Sequence, residues 1–388
     1  MEIEVAKRLQ LTEEYYFSKK LREIDEMNKN GAQVINLGIG SPDLPPHPEV
    51  IKTLQEQAAL PNTHGYQSYK GIPVLRQAMA DWYRRYYQVE LNPNTEILPL
   101  IGSKEGIVHI CMTYLQEGDK ALIPNPGYPA YASAVRISGA TIVPYELSAD
   151  NNWLPDLEEL EQSDLQDVKL MWINYPHMPT GTLANSNFFE RIIAFGKKHN
   201  ILICHDNPYS FILNEHPQSI MAVEGAMETA IELNSLSKSS NMAGWRIGML
   251  IANEQRIGEI LRFKSNMDSG TFYPLQMAAA KALSLDKSWY TQLNEEYKLR
   301  RVKVFELMDL LNCKYDPNQV GLFVWAKIPA TYQDSYQLAD DILYKAHVFI
   351  TPGGIFGSAG EQYIRISLCA QTAVYELAIN RIKESLGL

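Results

Sequence analysis

Lys238 stands at the end of Ser235-Leu236-Ser237-Lys238, just after an apolar run and eight residues before Arg246. A lysine set between small hydroxyl residues has three chemical uses. It can be a solvated charge, the base that activates a serine nucleophile, or an amine held to form an imine with a carbonyl. An apolar run on one side and small residues on the other make a poor setting for a solvated charge. The hydrolase reading of SxxK needs SDN-like and KTG-like partner motifs, and the chain has neither. Other polar residues close apolar runs in the same way. Gly102-Ser103-Lys104-Glu105-Gly106 follows ILPLI, and its free N–H groups at a helix start would hold an anion. Asp206 and Tyr209 follow ILIC. On its own the Asp reads as a cap and the glycine turn as an ordinary connection. Neither GxxxxGK[ST] nor GxGxxG occurs, so the turn is not a nucleotide-binding loop of those kinds.

The elements that must position these groups alternate. Short β-branched runs at 97–101, 120–126, 140–147, 169–176, 200–209, 230–237 and 246–253 read as strands, and EGIVHICMTYL and NFFERIIAFGKKHN between them as amphipathic helices. That alternation predicts an α/β fold with a mostly parallel seven-stranded sheet covered by helices. A long helical stretch from about 275 past 311, with a break near Asp286, leads to a smaller α+β part. This part comprises VGLFVWAKI, a helix near 335–346, VFITP, YIRISLCA and a closing helix. An opening helix with Phe17, Leu21, Ile24 and Met27 on one face and Gly31 at its end joins the same lobe. The expected division is 48–280 for the large domain, with 1–47 and 281–388 forming the small one.

Of the 388 residues 46% are hydrophobic and 21% charged, a composition that folds around a sizeable core. A net charge of −10 argues against nucleic acid, whose phosphates need a basic face. Small molecules are the expected partners. Cys111, Cys204, Cys313 and Cys369 show neither CxxC nor metal-ligand spacing and read as reduced core residues. No apolar run reaches membrane-span length, and MEIEVAKRLQLTEE lacks a signal peptide's pattern, so the expected location is cytoplasmic.

Ligands of open parallel sheets sit beyond the carboxyl ends of the strands. There the chain offers an anion cradle, a carboxylate, a phenol, a lysine and an arginine. Pyridoxal phosphate needs that set: a lysine for its aldehyde, a cup for its phosphate and a carboxylate for its ring nitrogen. Tyr128 in PNPGYPAY would supply an aromatic face for the ring.

SLSKSSNMAGWRIG resembles the Schiff-base segment of the fold-type I, class I/II aminotransferases, an aspartate aminotransferase-like family. LGIGSPDLP, LPLIGSKEGI, NYPHMPTG, CHDNPYS and KSNMDSG resemble the branch of LL-diaminopimelate aminotransferases and relatives acting on other amino acids. The resemblance covers nearly the whole chain and implies a homodimeric transaminase of amino acid metabolism with a ping-pong mechanism. Lys238 would carry the cofactor and move the proton. Asp206 would pair with the ring nitrogen, and Tyr209 with the phenolic oxygen. Ser103, Lys104, Ser235, Ser237 and Arg246 would bind the phosphate, with Tyr66 reaching the phosphate of the neighbouring subunit. Arg365 in YIRIS would grip the substrate α-carboxylate beside Gly40. The leading donor is LL-diaminopimelate, with Lys104 and Asn266 near its distal end. Aspartate, alanine and methionine are alternatives, and 2-oxoglutarate is the expected acceptor.

One position departs from the pattern. Where the family has NPTG, this chain has Met178-Pro179-Thr180-Gly181, and a thioether cannot donate the asparagine's hydrogen bond to the cofactor oxygen and the substrate carboxylate. Looser donor binding and a raised pKa of the lysine–cofactor linkage are expected, with Asn174 and His177 as candidates for compensation. A C–S lyase on the same fold shares the lysine, aspartate and arginine and is the main alternative. A regulator on this fold would need a DNA-binding domain, for which the two lobes leave no room.

Overall fold

All seven expected runs become strands of one sheet. The structure, a computed structural model, describes residues 3–10 and 14–387. In chain order its strands are β1 (Ile35–Asn36), β2 (Ile97–Leu100), β3 (Lys120–Asn125), β4 (Thr141–Glu146), β5 (Val168–Ile173), β6 (Leu202–Asp206), β7 (Ala230–Ser235) and β8 (Gly248–Ile251). They continue with β9 (Lys314–Tyr315), β10 (Phe323–Lys327), β11 (Val348–Phe349), β12 (Thr351–Pro352) and β13 (Tyr363–Ser367). The large sheet runs β2-β8-β7-β6-β5-β3-β4 and is parallel except for β8, which is antiparallel to both β2 and β7.

The sheet's strands are apolar almost without interruption because helices cover both faces. Residue alternation divides the two cores. Leu98, Leu100, Leu170, Trp172, Leu202 and Cys204 pack with the helices Ser103–Tyr114, Pro129–Ser138 and Glu254–Lys264. Ile97, Met171, Ile173 and Ile203 turn to the other side, against Pro73–Tyr87, Ser186–His199 and Tyr273–Ser284. Every residue of β6 and β7 is buried.

The second lobe is a four-stranded antiparallel sheet, β12-β13-β10-β9, packed with the helices Lys287–Leu310, Ser335–Ala346 and Thr372–Leu386. The opening helix, Tyr16–Lys29, sets Phe17 and Ile24 against Leu343 and Phe349. After it Gly31, at φ 92°, turns the chain toward β1, which pairs in parallel with β11. The helical stretch expected from 275 onward divides at Asp286, whose carboxylate caps the helix Lys287–Leu310 by accepting from Ser288 N at 2.8 Å. Within that 24-residue helix the packing changes over: Tyr290 belongs to the large-sheet core and Leu293 to the small one. Among the described residues no helix is long and apolar enough to cross a membrane.

Candidate active site

The groups singled out at strand ends meet in one cavity of about 350 Å³ between the lobes. One side of it is built from three turns. Gly102, at φ 80°, turns the chain from β2 into the helix Ser103–Tyr114, and a Cβ there would run into the Arg246 guanidinium. The backbone N–H groups of Ser103 and Lys104 lie in the first turn of that helix, where no helical carbonyl precedes them. At the end of β7, Ser235 Oγ accepts from Ser237 N at 3.1 Å and donates to Ser237 Oγ at 2.9 Å, fixing the tight turn that carries Lys238. Arg246 Nη1 donates to Ala243 O at 2.9 Å and to Ser237 Oγ at 3.4 Å, which holds the guanidinium over the cup.

Lys238 Nζ donates to the Gly40 carbonyl. Burial holds its pKa below the ordinary lysine range, with Arg365 and Arg246 pushing the same way and Cys369 against them. Gly40 has no room for a side chain, since a Cβ would strike the Phe323 ring.

Asp206 closes β6 and is buried. Tyr131 O–H donates to its Oδ2 at 2.9 Å, and that ring stacks on Trp172 with centroids 4.9 Å apart. Oδ1 is buried without a partner. Burial raises this carboxyl to about 6, a shift that the Tyr131 hydrogen bond and the neighbouring His205 only partly offset. Tyr128 meets Tyr131 edge to face at 5.6 Å, and Tyr209 meets Phe323 likewise at 5.8 Å; both line the cavity. Asn174 donates from Nδ2 to the Asp206 carbonyl at 2.6 Å and accepts from Met178 N at 2.8 Å. It therefore ties the departing MPTG turn to the Asp206 strand. His177 is turned instead to Thr180 Oγ1, at 2.8 Å, and does not line the cavity.

Arg365 comes from β13, opposite Trp325 of β10. Its guanidinium lies 3.9 Å from the centre of the Phe323 ring, 4.7 Å from Phe356 and 5.6 Å from Phe17. Nη2 donates to Gly38 O at 2.9 Å, Nη1 contacts Met178 Sδ at 3.2 Å, and Nε has no partner. Among the described residues no carboxylate pairs with it, and burial pulls its pKa down to about 10.

Two expected site residues lie elsewhere. Tyr66 is 94% exposed and does not line the cavity of its own chain. Asn266 was expected at the substrate's distal end. It is exposed in the turn after Glu254–Lys264 and folds its side chain back onto Arg262 O at 2.8 Å, so within one chain it does not reach the cavity. Conversely, the sequence reading did not place Tyr15, Phe17, Ile39, Tyr131, Phe323 and Phe356 on the cavity wall. Of these, only Tyr131 carried a local signal, three residues after Tyr128 on a helix. The carboxylates of Glu105 and Asp268, with His109, come close enough to share a metal, but the buried Lys264 ammonium already pairs with both.

The sequence pattern described as aminotransferase class I and II matches residues 32–382. The chain belongs to this aminotransferase family. Among similar proteins, an LL-diaminopimelate aminotransferase of Dehalococcoides mccartyi is 41% identical over 98% of both chains. Transaminase BacF of Bacillus subtilis is 38% identical over 95% of this aminotransferase and 93% of BacF. The solved structure of substrate-bound BacF superposes with a TM-score of 0.94 at 37% identity, covering 99% of this chain and 98% of that one. A Thermus thermophilus aspartate aminotransferase mutant, 22% identical, shares the fold of the present aminotransferase with a TM-score of 0.91.

Proposed function

We propose that this pyridoxal-phosphate-dependent aminotransferase moves an amino group from an amino acid to a 2-oxo acid, 2-oxoglutarate in the first instance, in two half-reactions at the cavity of Lys238. The observation that carries the site assignment is the bare, buried Oδ1 of Asp206. Asp206 lines the same cavity as a lysine whose pKa burial lowers and a cup of helix N–H groups, serines and Arg246. A carboxylate buried with one oxygen unpartnered suits a ligand that brings a protonated ring nitrogen.

When bound, pyridoxal phosphate supplies an electron sink for the charge left at the donor Cα. The chain does the rest. Ser103 and Lys104 N–H, Ser235, Ser237 and Arg246 hold the phosphate. Asp206 Oδ1 holds the proton on the ring nitrogen, while Tyr131 fixes Oδ2. Tyr128 flanks the ring, and Tyr209 donates to its phenolic oxygen. Lys238 Nζ would be the amine that holds the cofactor through its aldehyde, and the base that moves the proton at the donor Cα. Arg365, without an anionic partner, takes the α-carboxylate next to Gly40. Tyr66 completes the phosphate site of a second copy, which makes the working unit a homodimer. A division into domains at 48–280 and at 1–47 with 281–388 would put the cavity between them.

The names of the relatives bring LL-diaminopimelate forward as a donor. The test is the absorbance of the cofactor-loaded protein as a panel of L-amino acids is added without any oxo acid. Conversion to the pyridoxamine form, reversed by 2-oxoglutarate, is expected. Release of pyruvate and ammonia in place of reversible conversion would establish a lyase. A Lys238→Ala variant that turns over near the wild-type rate would overturn the role of the lysine.

A further inference from the structure

We propose that Arg300 is a positioning residue for the substrate α-carboxylate: it pins the loop of Gly40 to the strand end of Arg365 and so sets the opening between them. This rests on the aminotransferase reading above, which gives the carboxylate to Arg365 beside Gly40. Those two flanks come from distant parts of the chain. Gly40 lies in the irregular segment between β1 and the helix Pro48–Ala58, and Arg365 projects from β13. Something must hold the one against the other.

Arg300 belongs to the helix Lys287–Leu310 and is buried, and its guanidinium reaches both pieces at once. Nη1 donates to Asp43 Oδ1 at 2.6 Å and Nη2 to Asp43 Oδ2 at 3.2 Å, a two-pronged grip three residues after Gly40. The same Nη1 donates to Leu368 O at 3.0 Å, three residues after Arg365. One planar group therefore fixes the spacing of the two stretches that flank the α-carboxylate. A lysine has no such fork. Arg300 does not line the cavity, so it acts on the substrate only through the groups it places.

The other ties of the segment show what this one adds. Before Gly40 it is sewn to the small lobe. Leu37 O accepts from Ser367 N at 2.8 Å, and Gly38 O accepts from Thr351 Oγ1 at 3.0 Å and from Arg365 Nη2 at 2.9 Å. Beyond Gly40 it crosses to the large domain, where Pro45 O accepts from Asn241 Nδ2 at 3.2 Å. Lys238 Nζ donates to Gly40 O itself, but the reading commits that amine to the cofactor. Asp43 is the one charged residue from Leu37 to Pro46, and it falls at the crossing. Its side chain is 26% exposed against 2% for that of Arg300, so the helix is the anchor and the loop is the end being held. Removing the carboxylate leaves a buried guanidinium without its counter-charge, and the loop loses its grip beside Gly40.

The experiment uses the cofactor-loaded protein and two small probes, aminooxyacetate and O-methylhydroxylamine. Both carry the same aminooxy group, which captures the cofactor's aldehyde and changes its absorbance, but only aminooxyacetate has a carboxylate. The ratio of their second-order rate constants therefore reads the carboxylate clamp without any turnover, and Arg365→Ala sets the floor of that ratio. Asp43→Asn is the first variant, because it keeps the shape of a partly exposed side chain; Arg300→Met is the second. Each is expected to lower the ratio by about tenfold or more, within the cost of misplacing a binding group by roughly 1 Å, while O-methylhydroxylamine reacts near the wild-type rate. A wild-type ratio in Asp43→Asn overturns the inference and leaves the aminotransferase reading standing. Equal slowing of both probes assigns the pair to general stability and overturns it as well. A protein whose absorbance answers to neither probe defeats the aminotransferase reading, and the inference with it.

Discussion

Asp206 keeps one oxygen bound and the other bare, and that asymmetry has a measurable stability signature. Burial lifts its folded pKa to about 6, above the ordinary carboxylate value of 3.8, so the native state holds the proton more tightly than the unfolded chain. The contribution to stability is full below the unfolded value and is lost as pH rises through 6, by up to about 3 kcal/mol for a shift of this size. Asp206→Asn removes that loss. The cofactor-free variant should therefore melt higher than wild type at pH 8 and about the same at pH 4, while turnover nearly vanishes. An unchanged difference between the two pH values would show that Asp206 is not strained by burial. Arg365→Ala should raise KM for carboxylate substrates by a factor of about 30 or more, since a lost charged pair costs at least 2 kcal/mol, and an unchanged KM would remove it from the clamp. Met178 supplies only a thioether, at 3.2 Å, to Arg365 Nη1. Met178→Asn adds stronger hydrogen-bonding groups and should lower the donor's KM by about two- to tenfold, the equivalent of one net hydrogen bond. It should also lower the pH at which the cofactor's absorbance titrates.

At the scale of elements, the anion cup depends on how closely β2 and β8 approach. Gly102→Ala puts a methyl into Arg246 and an L-residue at φ 80°. The expected result is cofactor affinity weakened by about 5- to 150-fold, since the strain is of order 1–3 kcal/mol at the site itself. Far-ultraviolet circular dichroism should stay near that of wild type; a fully retained affinity would show that the turn has slack. The same distinction explains what could be read from the chain. Strands β2 to β8 were legible because each is a short apolar run ended by a polar or small residue, and Ser103, Asp206, Ser235 and Lys238 mark those ends directly. The aromatic wall was not legible. Phe17 and Phe323 are more than 300 positions apart, each obeys only the periodicity of its own helix or strand, and nothing local says that both will face Arg365. Asn266 lies outside the cavity of its own chain, because its exposed turn folds it back onto Arg262 O.

For the whole molecule, the ring of Tyr66 is exposed, and the backbone just after it packs on the turn at Gly270, where a Cβ would come within 2.7 Å of Gln67 O. Mixing Lys238→Ala chains with Tyr66→Ala chains should restore activity above the sum of the two, because one site of each mixed dimer has both residues intact; purely additive rates would show that sites are not shared. The helix Lys287–Leu310 has a further consequence. It rises about 36 Å without a break, and its apolar contacts pass from one core to the other between Tyr290 and Leu293, within a single turn. An intact helix has no loose joint there, so the two lobes are keyed to one shaft. Melting either core frays the support of the other, and calorimetry of the cofactor-free chain should record a single heat-absorption peak in place of two.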